Sequence, residues 1–234
     1  MTETFLERDF KAYEKHRQDD PEYNALRLSV RRKLKAIVDG VVKEAKPLGT
    51  ELSAQAGLHH PYTFNSYRVR EQRAYCCRGA KERKKLASFF GEALGKDAET
   101  HYIQTVLEVC LDDQVVEAAL RVHPQAWWDG ENLKKKVLGD PAAMEQFCVL
   151  LKALPAGFNL KLHDWKKDHW CSAAKPGELK EMFGHYTPGN HWLHVQRQLP
   201  KEDALAMGPE AETWVRSSLL ALLPVYRFVL WDPS

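Results

Sequence analysis

Three short segments alternate apolar and polar residues with a period of two, and each leaves a greasy side that demands cover. Over 115–123, Val116, Ala118, Leu120 and Val122 oppose Val115, Glu117, Ala119, Arg121 and His123. Over 158–163, Phe158, Leu160 and Leu162 oppose Asn159, Lys161 and His163. Over 191–199, His191, Leu193 and Val195 oppose Trp192, His194, Gln196 and Gln198. Side chains point to alternate faces along a strand, so these segments predict a sheet that is covered on one face and open on the other.

The covering layer is legible as three- and four-residue spacing. Phe5, Phe10 and Tyr13, then Leu26, Val30, Leu34, Ile37, Val38 and Val41, mark residues 4–46 as helical. Asp20 before Pro21 supplies an N-cap and a first-turn proline, which divides the segment in two. Pro47, Gly49 and SAQAGLHHP read as a long loop, and 67–78 as an arginine-rich strand. Helices are expected at 81–90, 130–138, 141–154, 178–184 and 209–223. Residues 101–111 and 115–123 read as two strands turned at Asp112-Asp113, and 168–172 as a short strand. The order predicts an α+β fold: a largely antiparallel sheet with helices packed on one face. No linker divides the chain, so a single domain over 1–234 is expected, with 4–46 packed on it.

The opening stretch lacks an apolar signal core, and the longest apolar run, Leu219 to Val225, is too short to span a bilayer. The five cysteines form no C-x-x-C pair, which points to reduced, buried thiols in the cytoplasm, away from any membrane. No phosphate-binding glycine loop, dinucleotide fingerprint or nucleophile elbow occurs, so no cofactor is expected. A net charge of +2 creates no global field, yet Ser66 to Lys85 carries a local +6 against −4 elsewhere. Arg68, Arg70, Arg78, Lys81, Lys84 and Lys85 are therefore candidate contacts to a nucleic acid, with Tyr62, Phe64, Tyr67 and Tyr75 available to stack on bases.

The open sheet face gathers a second set. Arg73, Tyr75, Arg121, His123, Lys161, His163, His194 and Gln196 are expected there as ligand-binding groups, provided the strands pair suitably. Ordinary wet faces carry Thr, Ser, Lys and Glu; this one carries His, Arg and Tyr. The segment HDWKKDHW, with His163, Asp164, His169 and the later His194, offers an alternative centre for metal-assisted hydrolysis. No spacing fixes two ligands on one helix face, so no metal site is assigned. Trp127, Trp128 and Trp192 support a third reading, as anchors of a protein-interaction subunit.

Phe10 in the first helix, the His60-Pro61 loop, the strand RVREQRAYCC and the hairpin 101–123 occur in an order that resembles the YktB-like group of uncharacterised bacterial α+β proteins. The resemblance covers roughly residues 5–230 and implies one α+β domain, with no activity to carry over. The expected function is thus binding of an anionic partner, nucleic acid or a phosphorylated small molecule.

Overall fold

The computed structural model describes residues 5–95 and 100–232. Two helices open the chain: a short α1 (Glu7–Lys11) and a long α2 (Asn24–Ala45). Between them a single 3₁₀ turn, Pro21–Tyr23, is capped by Asp20, whose carboxylate accepts the Glu22 N–H at 2.8 Å. Then come β1 (Leu52–Ala56), β2 (Gln72–Arg78) and α3 (Ala80–Gly95). The hairpin β3 (Val106–Leu111) and β4 (Val115–Val122) follows. Its turn is held by Asp112, whose Oδ1 accepts the N–H groups of Gln114 and Val115 at 2.7 and 2.8 Å. The second half contains α4 (Trp127–Gly139), α5 (Pro141–Lys152), β5 (Asn159–Leu162), β6 (His169–Trp170) and α6 (Pro176–His185). It closes with β7 (Leu193–Pro200), α7 (Lys201–Met207), α8 (Glu210–Ala221) and α9 (Leu223–Val229).

The seven strands form one sheet in the order β1-β2-β3-β4-β7-β5-β6, antiparallel at every step. The fold is α+β, as the strand patterns predict. Registration lines up Cys76, Leu107, Leu120, Val195 and Leu160 as one transverse row, all fully buried in the main core. One residue along, Tyr75, Glu108, Ala119, Gln196 and Asn159 form the neighbouring row on the opposite face. The long helix α2 lies over β1 and β2, and α8 lies over β3 and β4. No described helix is long and apolar enough to cross a membrane.

Several boundaries differ from expectation, each for a physical reason. Leu52–Ala56 is an edge strand rather than loop, since edge strands need little apolar alternation once one neighbour pairs with them. Residues 67–71 and 101–105 precede their strands as irregular chain. The helix expected at 209–223 is α8, and two further helices flank it, α7 before it and α9 after it with Pro224 in its first turn. The expected helix at 141–154 packs chiefly on α4, α9 and the turn at 171–173, and the sheet is covered chiefly by α2 over β1 and β2 and by α8 over β3 and β4. Asp129 sits in the first turn of α4, and Gly130 is required beside it. A Cβ at Gly130 would stand 2.4 Å from the hydroxyl of buried Tyr186.

Candidate functional site: an open sheet face and an adjoining groove

Because β7 lies between β4 and β5, Arg121, His194 and Lys161 fall in one register row. Arg73, Tyr75 and Gln196 share their face. Pairing thus brings together the side chains proposed from the sequence. His123 and His163 stand at the margins. The Nδ1 of His123 accepts the Gln125 N–H at 3.2 Å, and His163 stacks on Trp192 with ring centroids 5.5 Å apart. Trp192 in turn stacks on His194 at 4.4 Å.

The face does not carry free positive charge, however. Glu108, fully buried, lies between two guanidinium groups: Nε of Arg121 at 2.9 Å and Nε of Arg73 at 3.8 Å from its Oε1. Neither oxygen of Glu108 receives a well-aligned hydrogen bond. Arg73 is also paired with Glu71, and Arg121 with Glu117 at 2.5 Å. Glu117 takes a further hydrogen bond from Gln198 at 2.8 Å, and Lys161 stands 3.5 Å from Asp168. The thiol of Cys110 donates to Glu71 at 3.2 Å, and burial pushes its pKa well up. Burial, then the charges of Arg121 and Arg73, holds His194 well below its ordinary pKa. His123 is lowered by burial and by nearby His101 and Arg73. Neutral imidazoles and countered cations correct the expectation that this face itself attracts an anion.

Free positive charge lies beside it, in the segment joining β1 to β2. Ser66 and Tyr67 adopt left-handed backbone with φ of 53° and 57°. The Asn65 side chain ties this turn together, accepting the Tyr62 N–H at 2.7 Å and donating to the His60 carbonyl at 2.8 Å. Val69 is buried and its N–H donates to the Gln18 carbonyl at 2.8 Å. Its neighbours Arg68 and Arg70 are consequently turned out to solvent. Among the described residues neither guanidinium has an ion-pair partner. Both line a groove of about 390 Å³ together with Leu58, Phe64, Glu71, Arg73 and His101. Phe64 is 88% exposed and stacks on Tyr62 at 5.9 Å, an unusual outlay of apolar surface to water.

The rest of the basic segment is elsewhere. Arg78 is buried and bonded to both oxygens of Asp129, so it cannot reach a nucleic acid; the expectation for it is corrected. Lys81, Lys84 and Lys85 are exposed on α3, past the far end of β2. At ~3.3 Å per residue, that strand separates them from Arg70 by roughly 20 Å. The +6 segment is therefore two surfaces and one buried ion pair.

The alternative centre does not assemble. His169 stands opposite Leu160 on the core side and accepts the Trp165 indole N–H at 3.0 Å, whereas His194 is on the open face. Among the described residues no three His, Cys, Asp or Glu side chains gather as a metal-binding set. Of the interaction anchors, Trp127 is exposed and Trp128 is buried.

Neither Glu108 nor His101 is placed at this site by the sequence pattern. Glu108 had one signal, as the only charged residue in the strand VLEVCL. No family model matches the chain, and no curated protein matches it either.

Proposed function

We propose that the protein binds an anionic ligand bearing aromatic bases, a nucleotide or a single-stranded nucleic acid, in the groove beside the open sheet face. The observation that carries this reading is the pair of guanidiniums, Arg68 and Arg70, that have no ion-pair partner among the described residues and lie next to exposed Phe64. Guanidinium forks match phosphate geometry, and an exposed ring offers a stacking platform that any base can use. Tyr62 and Tyr67 extend the aromatic surface. The charged ladder behind the groove fixes Arg73 and keeps its own fields short-ranged, so phosphate recognition falls to the rim. The five cysteines are unpaired and buried, which suits a protein of a reducing cytoplasm.

The test is fluorescence anisotropy with labelled oligo-uridine, oligo-thymidine and a nucleotide panel between 50 and 200 mM salt. Affinity should fall steeply with salt, because each neutralised phosphate releases condensed counterions. Salt-independent binding, or none at the lowest salt, would overturn the reading.

A further inference from the structure

Capture of an anion leaves one group of the groove without a task. His101 lines it, with its ring 5.5 Å from those of Tyr75 and Tyr102. Among the described residues neither of its ring nitrogens has a hydrogen-bond partner. Of the other histidines near this face, His123 is engaged by the Gln125 N–H and His194 by Gln196, while His163 stacks on Trp192 and does not line the groove. His101 is thus the imidazole that the groove presents to a ligand.

Its surroundings decide its protonation state. Burial, together with the charges of Arg73 and Arg121, lowers its pKa, and Glu108 and Glu71 only partly oppose them. A neutral imidazole near pH 7 is an acceptor for a proton. Around it stand Arg68, Arg70 and Arg73, the last fixed by Glu71 and Glu108. One base and the two rim guanidiniums of Arg68 and Arg70 suit a reaction whose nucleophile arrives with the substrate. Ribose supplies such a nucleophile, a 2′-hydroxyl adjacent to the phosphodiester, and DNA does not.

We propose that the groove cleaves single-stranded RNA, with His101 accepting the proton of the 2′-hydroxyl as its oxygen attacks the neighbouring phosphorus. The inference rests on the groove being the anion site. A bond forms from the 2′-oxygen to phosphorus, and the bond from phosphorus to the 5′-oxygen breaks. The departing oxygen keeps the electron pair and takes a proton from water, while His101 returns its own to solvent. The products are a 2′,3′-cyclic phosphate and a 5′-hydroxyl, with no oxidant or reductant needed. The guanidiniums counter the charge that gathers on the phosphoryl oxygens.

The experiment pairs cleavage with binding. Fluorogenic RNA, DNA of the same sequence and 2′-O-methyl RNA are incubated with the wild type and with His101→Gln, and 2′-O-methyl RNA also serves as the binding probe. Wild type should cleave RNA alone, leaving a cyclic phosphate. His101→Gln should lose about 100-fold or more of that rate while its affinity for 2′-O-methyl RNA stays within about threefold. Tight binding by the wild type without cleavage would overturn the inference and leave the binding reading intact. No binding of any probe would overturn both. Undiminished cleavage by the variant would assign the activity to a contaminant, and joint loss of binding and cleavage would make His101 a binding group only; either result overturns its role as base.

Discussion

Arg78 and Asp129 stand 51 positions apart and meet as a two-pronged ion pair, Nη1 to Oδ2 at 3.1 Å and Nη2 to Oδ1 at 2.5 Å. Both side chains are buried, and Asp129 also accepts the N–H groups of Thr105 and Trp231 at 3.1 and 2.8 Å. Arg78 adds a bond to the Trp231 carbonyl at 3.1 Å. One carboxylate therefore joins the end of β2, the approach to β3, the first turn of α4 and the C-terminal tail.

Removing it leaves an uncompensated guanidinium in the interior. Asp129→Ala should lower unfolding free energy by about 3–5 kcal/mol, the usual cost of breaking a buried pair from one side. Replacing both partners by apolar residues should cost less than the sum of the single changes. Urea titrations of the two single variants and the double variant check this. A loss below about 1 kcal/mol for Asp129→Ala would show that the pair is not holding these elements together.

The two faces of the sheet make opposite predictions for neighbouring residues. Leu160 is fully buried against Val195, whereas Lys161 is half-exposed on the open side. Leu160→Ala should cost about 2–5 kcal/mol through lost burial and a residual cavity, and Leu160→Asp more, through an unpaired buried charge. Lys161→Ala should stay within about 1 kcal/mol of wild type, since its partner Asp168 is itself largely exposed. Thermal scans of the variants would expose a mistaken face assignment at once.

Those faces were readable because alternation in β4, β5 and β7 is strict; the distant partnerships were not. Nothing local to Arg78 announces Asp129, so a buried structural arginine passes for one of a basic cluster. Glu108 is hidden among Val106, Leu107, Val109, Cys110 and Leu111, a run that reads as buried on both faces. His101 reads as the start of a strand, although the strand begins at Val106 and His101 turns into the groove instead. The edge strand β1 has one large apolar residue, Leu52, and owes its conformation to pairing with β2. Local period reveals which face a residue joins, and pairing decides what it meets there.

Separation of the basic segment predicts a division of effects. Arg68→Ala with Arg70→Ala should weaken binding of a single-stranded probe and flatten its salt dependence. With ~0.7 of a unit lost per phosphate contact, the slope should fall by about 1.4. Lys84→Glu with Lys85→Glu, on exposed positions of α3, should change affinity little beyond the Debye length of about 8 Å at physiological salt. Equal losses in both double variants, measured by anisotropy over the same salt range, would restore a single extended docking surface and remove the groove from its special place.

Acid should destabilise the fold earlier than its carboxylates require. His101, His123 and His194 all have native pKa values below the ordinary 6.5, with burial the leading cause in each. For a group lowered on folding, the unfolded chain binds more protons between the native value and about 6.5, so unfolding free energy rises with pH across that window. Stability from keeping these imidazoles neutral is complete above about 6.5 and drains away as pH falls toward their native values. Glu71 has its native pKa lowered too, with Arg73 and the Cys110 hydrogen bond outweighing burial, so its contribution is lost only below the carboxylate range near 4.5. A decline between pH 6.5 and 5 therefore belongs to histidine. His194 is the strongest contributor by its surroundings, buried and facing Arg121 and Arg73, with a hydrogen bond to Gln196 only partly opposing them. His194→Gln keeps a polar side chain there and removes the titration, so urea midpoints measured from pH 8 to 5 should fall less steeply than in the wild type. An unchanged slope in that variant would show that His194 gains its proton without cost to the fold, and that the charge of the two arginines does not reach it.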